Sequence, residues 1–168
     1  MSARKRSHRG CRDYEREWNG FCIDKNLEDN WLLRLNELKC LRPISICEGH
    51  SDQKAGSSRT FPHIKLRLLD PLLPGIAGHW DQLKRILPDE LKRLFHDGNT
   101  YLELELKCRF RRIQERFPYR ENLTVRIHGR QARTSQEMEA ATYEWFEKTV
   151  SRVEELDNVI AVQIGATD

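Results

Sequence analysis

Between Thr100 and Arg112 the chain reads TYLELELKCRFRR, in which apolar and charged side chains alternate without a break from Leu102 to Arg111. Successive side chains of a β-strand point to opposite faces, so Leu102, Leu104, Leu106, Cys108 and Phe110 share one face. Glu103, Glu105, Lys107, Arg109 and Arg111 share the other. A 3.6-residue period would mix the two sets, so this stretch is a strand with one buried and one polar face. The same alternation returns in Leu123, Val125 and Ile127 against Thr124, Arg126 and His128, and in Ile64, Leu66 and Leu68 against His63, Lys65 and Arg67. A shorter run places Ile44 and Ile46 on one face and Ser45 and Cys47 on the other, directly after Pro43.

Helical spacing fills the gaps between these strands. Leu27, Trp31, Leu35 and Leu38 predict an amphipathic helix over about residues 24–40. Ile76, Trp80, Leu83 and Leu87 predict a second, and Pro88-Asp89-Glu90 reads as the first turn of a further helical piece ending near Phe95. The capping pattern Thr134-x-x-Glu137 opens a last helix carrying Met138, Ala141, Trp145, Thr149 and Val153, and residues 159–164 read as a short final strand. Paired strands separated by helices predict an α+β fold. Its sheet is four- to five-stranded, antiparallel or mixed, with about three helices packed on one face.

A chain of 168 residues accommodates one such domain, read as residues 21–168 behind a flexible basic segment, residues 1–20. The start, MSARKRSHRG, is basic but has no apolar run behind it, as a secretory signal would. No apolar stretch reaches the ~18 residues of a membrane span, so no membrane partner is expected. Five cysteines without a repeated pairing pattern speak against a disulfide framework and for a reducing, cytoplasmic setting. The net charge of +3 hides an uneven distribution. Residues 107–133 hold nine Lys/Arg and two Asp/Glu, leaving 20 and 24 for the remainder. That asymmetry points to an acidic partner.

If the four strands form one sheet, their polar positions share a surface. Ser45, Cys47, His63, Lys65, Arg67, Glu103, Glu105, Lys107, Arg109, Arg111, Arg126 and His128 then stand together, basic on balance. Arginine and lysine there would hold phosphates, and Phe117 and Tyr119 in the following loop offer stacking surfaces for a nucleotide or RNA. No RNP-like aromatic motif occurs on these strands.

One rim of this surface is Cys47-Glu48-Gly49-His50, followed by the polar loop SDQKAGSSR. Cys47 and His50 have CxxH spacing and His63 opens the next strand, so the three are candidate zinc ligands or a catalytic cysteine with imidazole bases. A structural zinc site shows two ligand pairs and this chain shows one, so zinc is not the favoured cofactor. In a binding role, Ser45, Glu48, Gly49, Lys65, Arg67, Arg109, Arg111, Arg126 and His128 would contact the ligand. The amphipathic helices offer a surface for a protein partner.

The run S-x-C-x-G-H at a strand end, a polar loop and a P-H-I strand resemble small bacterial and phage proteins with a C-E-G-H tract. The stretch from about Ser45 to Leu66 also resembles the S-S-C-S-G-R strand–loop of the family that methylates a wybutosine precursor in transfer RNA. That resemblance implies methyl transfer to RNA. His50 stands where that family has arginine, and the chain shows no segment for binding a methyl donor.

Overall fold

The alternating strands do form one antiparallel sheet. The computed structural model describes residues 15–49, 61–68, 79–110, 119–129 and 140–165, with the backbone alone at 68, 80, 106–110 and 119–122. In chain order these hold β1 (Glu15–Trp18), β2 (Phe21–Asp24), α1 (Asp29–Asn36), β3 (Leu41–Cys47) and β4 (His63–Leu68). They continue with α2 (Trp80–Phe95), β5 (Thr100–Phe110), β6 (Tyr119–Gly129) and α3 (Ala140–Gln163). The main sheet has the order β3-β4-β6-β5, every pair antiparallel, and β1 and β2 form a separate hairpin.

All three helices pack on the apolar face. Ile46, Ile64, Leu66, Val125 and Ile127 meet Trp31, Leu35, Leu87, Phe146, Val153 and Leu156 in one core. Trp31 stacks on Phe146 with ring centroids 5.2 Å apart. Each such side chain, fully removed from water, contributes about 1.5–3 kcal/mol. This layer fixes the sheet and leaves its other face to the polar residues.

Four features differ from the sequence reading. Glu15–Trp18, inside the stretch read as a flexible arm, is a strand that turns through Asn19-Gly20 into β2. Both turn residues have positive φ, 48° and 81°, the requirement of a two-residue hairpin turn that Asn-Gly meets readily. The first helix is consequently shorter than 24–40. Second, α2 runs without interruption through Pro88. Leu83, Leu87, Leu91 and Leu94 form one buried stripe across the proline, so burial carries the helix past the lost hydrogen bond. Third, α3 continues to Gln163, and residues 159–163 are helix rather than strand. Leu156 and Ile160 extend the stripe of Phe146, Val150 and Val153 at helical spacing. Among the described residues the main sheet therefore has four strands.

The fourth concerns the thiols. Cys22 is disulfide-bonded, while Cys40 and Cys47 are free. The reducing, cytoplasmic reading rested on unpaired cysteines and loses that support. No described helix is long and apolar enough to cross a membrane.

Candidate functional site on the polar sheet face

Strand register sorts the polar residues into three rows across the sheet. Cys47, His63, His128 and Tyr101 form the first. Ser45, Lys65, Arg126 and Glu103 form the second, and Arg42, Arg67, Thr124 and Glu105 the third. The phase on β3 depends on a bulge between Pro43 and Ser45, where Ile44 is the extra residue. Leu41 and Pro43 before it, and Ile46 after it, are buried, and Ile44 is only half-buried. The bulge brings Arg42, Ser45 and Cys47 to one face despite their mixed spacing. Pro43 is tolerated because β3 is an edge strand of this sheet.

Like charges face each other in two successive rows. Arg42 pairs with Arg67 and Lys65 with Arg126, an arrangement that costs stability. Acidic residues on β5 lie beside the inner pair. Lys65 Nζ lies 3.9 Å from Glu105 Oε2, and Arg126 Nη1 lies 3.8 Å from Glu103 Oε2. Arg126 Nε is buried and has no hydrogen-bond partner. Arg42 and Arg67 are exposed and meet no carboxylate among the described residues. Lys65, Glu103, Glu105, Thr124 and Arg126 line an open depression of about 420 Å³ in the middle of the face.

The histidines occupy the row beside it. His63 Nδ1 lies 3.2 Å from the Phe61 carbonyl, which can only accept, so this nitrogen carries the proton. His63 Nε2 then accepts the hydroxyl hydrogen of Ser45 at 3.0 Å. Burial is the main cause that pushes the imidazole down to about 4, with Arg126, His128 and Lys65 adding to it against the Phe61 hydrogen bond. His63 is therefore neutral at neutral pH, and both ring nitrogens are engaged. Its ring nitrogens meet Phe61 and Ser45 in this arrangement. His128 lies beside it, ring centroids 5.8 Å apart, with Tyr101 on its far side at 5.9 Å. Glu103 Oε2 approaches His128 Nε2 at 3.3 Å.

The Cys-Glu-Gly-His rim divides between two tasks. Cys47 stands on the polar face opposite His63, and its sulfur accepts the Gly49 N–H at 3.3 Å. Glu48 is buried, and its backbone N–H donates to Asp24 Oδ2 at 2.7 Å, tying the end of β3 to the β1–β2 hairpin. Gly49 has φ +83°, and a Cβ there would lie 2.6 Å from the Pro62 nitrogen. The Glu48 backbone and Gly49 both hold the rim together. Pro62 is gripped from its other side by Gly129, whose N–H donates to the Pro62 carbonyl at 2.8 Å.

Ser45, Cys47, His63, Lys65, Arg67, Arg126 and His128 are thus brought onto one face. His50 and Arg111 lie outside the described residues. For Lys107 and Arg109 the register alone is known, opposite Asn122 and Arg120. Among the described residues no group of three or more His, Cys, Asp and Glu is placed to hold a metal ion. Sequence reasoning missed Arg42, because the bulge hides its phase, and Tyr101, which alternation did place on the polar face. It also missed a cleft of about 360 Å³ between the start of α3 and the Asp97–Asn99 turn, where Trp145 Nε1 donates to Thr100 Oγ1. No family model matches the chain, and neither curated proteins nor solved structures give a match.

Proposed function

We propose that the polar sheet face binds a phosphate-bearing ligand, a nucleotide or RNA. The observation that supports this reading most is the pair of like-charged cross-strand contacts, Arg42 with Arg67 and Lys65 with Arg126. An anion held between such side chains removes the repulsion that the fold alone leaves in place. The unpartnered Arg126 Nε–H and the depression beside it give that anion a place to sit. His63, His128 and Tyr101 supply flat rings one row away, about 6.6 Å along the strands, where a base attached to the phosphate can lie. Ser45 gives its hydroxyl hydrogen to the neutral His63 and keeps an oxygen lone pair that can accept a hydrogen bond from a nucleobase.

The test uses a fluorescent single-stranded RNA, with adenosine triphosphate and inorganic polyphosphate as competitors, titrated at several salt concentrations. Binding that weakens linearly in log–log salt plots, and that Tyr101→Ala reduces for RNA but not for polyphosphate, is the expected result. Absence of binding to all three ligands at low salt would contradict the proposal.

A further inference from the structure

The two edges of the main sheet are built differently. β3 carries Pro43 and a bulge, and β2 packs beside it, all of which blunt an edge. β5 ends the other side, 11 residues long with no proline or glycine, in unbroken register with β6 from Thr100 to Phe110. Among the described residues no strand lies beyond it. Charges of a single sign would repel a second copy from such an edge. β5 instead reads Glu103, Glu105, Lys107, Arg109 along one face, an order that complements itself when reversed.

We propose that β5 is a homodimer interface, in which two copies pair antiparallel about a two-fold axis at Leu106. Glu105 then stands opposite Lys107 of the partner subunit, and Glu103 opposite Arg109 of the partner subunit; the symmetry repeats both contacts. On the other face Leu104 meets Cys108 of the partner subunit, and Leu106 meets its own counterpart. The register is selective. A shift by two residues sets Glu105 against Glu105, or Lys107 against Lys107. A shift by one sets apolar positions against charged ones, joining the core face of one copy to the polar face of the other.

The contacts within each chain fit this pairing. Arg109 is in register with Arg120 of its own chain, so Glu103 of the partner subunit joins a row that already holds two arginine positions. Glu103 has Arg126 on its inner side and gains a cation on its outer side. Tyr101 and Leu104, 55% and 42% exposed, lie on the strand that the second copy covers. The two polar faces join into one continuous surface, but the ligand reading stands or falls without this.

Sedimentation velocity on the full chain should give the mass of two chains. The double variants Glu103→Lys/Glu105→Lys and Lys107→Glu/Arg109→Glu should each be monomeric. Mixing them should restore a dimer with one chain of each, because an all-basic strand then faces an all-acidic one. A monomeric wild-type chain, a dimer that survives both reversals, or a mixture that stays monomeric overturns the proposal. Should circular dichroism show either variant unfolded, Leu106→Cys decides. Opposed Cα atoms about 4.5–5.5 Å apart fall within the disulfide range. Mass spectrometry should find position 106 of one copy joined to position 106 of another after oxidation, and a failure to form that link overturns the interface.

Discussion

Charges at the α1–α3 contact and charges on the polar sheet face are used in opposite ways. Between the helices, Arg34 donates to Glu154 at 2.8 and 2.6 Å, to Glu147 at 2.8 Å and to Ser151 at 2.8 Å. Trp31 Nε1 donates to the same Glu147 at 2.6 Å. Deeper in, Asp157 of α3 accepts the backbone N–H groups of Lys39, Cys40 and Leu41 at 2.7–2.8 Å. Every one of these groups has short, opposite-signed or donor–acceptor partners within the fold. On the sheet, cations face cations, and the Lys65–Glu105 and Arg126–Glu103 ion pairs measure 3.9 and 3.8 Å. Polar residues of the first region are consumed in holding the chain together. Those of the second are held in place by the fold with like charges side by side, which is why we propose them as a binding surface.

The contrast breaks first at Asp157. Replacing it by Ala leaves three backbone donors, two of them buried, without their acceptor and should cost about 3 kcal/mol or more in denaturant unfolding. A loss under 1 kcal/mol would show that the α1–β3 connection does not depend on it. His63 lies at the boundary between the two regions and tests the burial of the sheet face. Its folded value of about 4 lies below the ordinary value of about 6.5, so folding favours the neutral ring. That contribution is complete above pH ~6.5 and is lost as the pH falls toward 4. Wild-type stability should therefore drop by about 2–3 kcal/mol more than that of His63→Asn between pH 7 and 4. Parallel pH profiles for the two proteins would place the imidazole in water instead.

The sheet was legible because alternation is a local signal. Each strand from 100–110, 123–127 and 63–68 announces its own two faces, and shared burial of the apolar set forces the polar set together. Boundaries set by tertiary burial were less legible. Pro88 reads as a helix start until Leu91 and Leu94 are seen to share the stripe of Leu83 and Leu87. Residues 159–163 read as a strand until Ile160 is seen one turn beyond Leu156. The hairpin at Asn19-Gly20 had a sequence signal in its turn residues, but its four-residue strands are too short for a clear alternation. Within the site, the Glu48 backbone meets Asp24 and Gly49 lies against Pro62, partners distant in sequence that no local pattern shows. Ser45 and His63 are 18 residues apart, and only the register shows that they share a hydrogen bond.

The smallest effect on stability should come from Arg42 and Arg67, an exposed pair of the proposed binding surface. Reversing Arg42 and Arg67 together to Glu removes one repulsive pair and creates another, so unfolding free energy should change by no more than about 0.5 kcal/mol. The same double variant should lose most of its affinity for single-stranded RNA at low salt. Opposed acidic residues at the third row should also lower the slope of log affinity against log salt by about one for each phosphate contact removed. Measuring stability and affinity on this one variant is the most direct test that the sheet face is a binding surface. Unchanged folding with lost binding is the expected result. Binding that stays at the wild-type level would contradict the account.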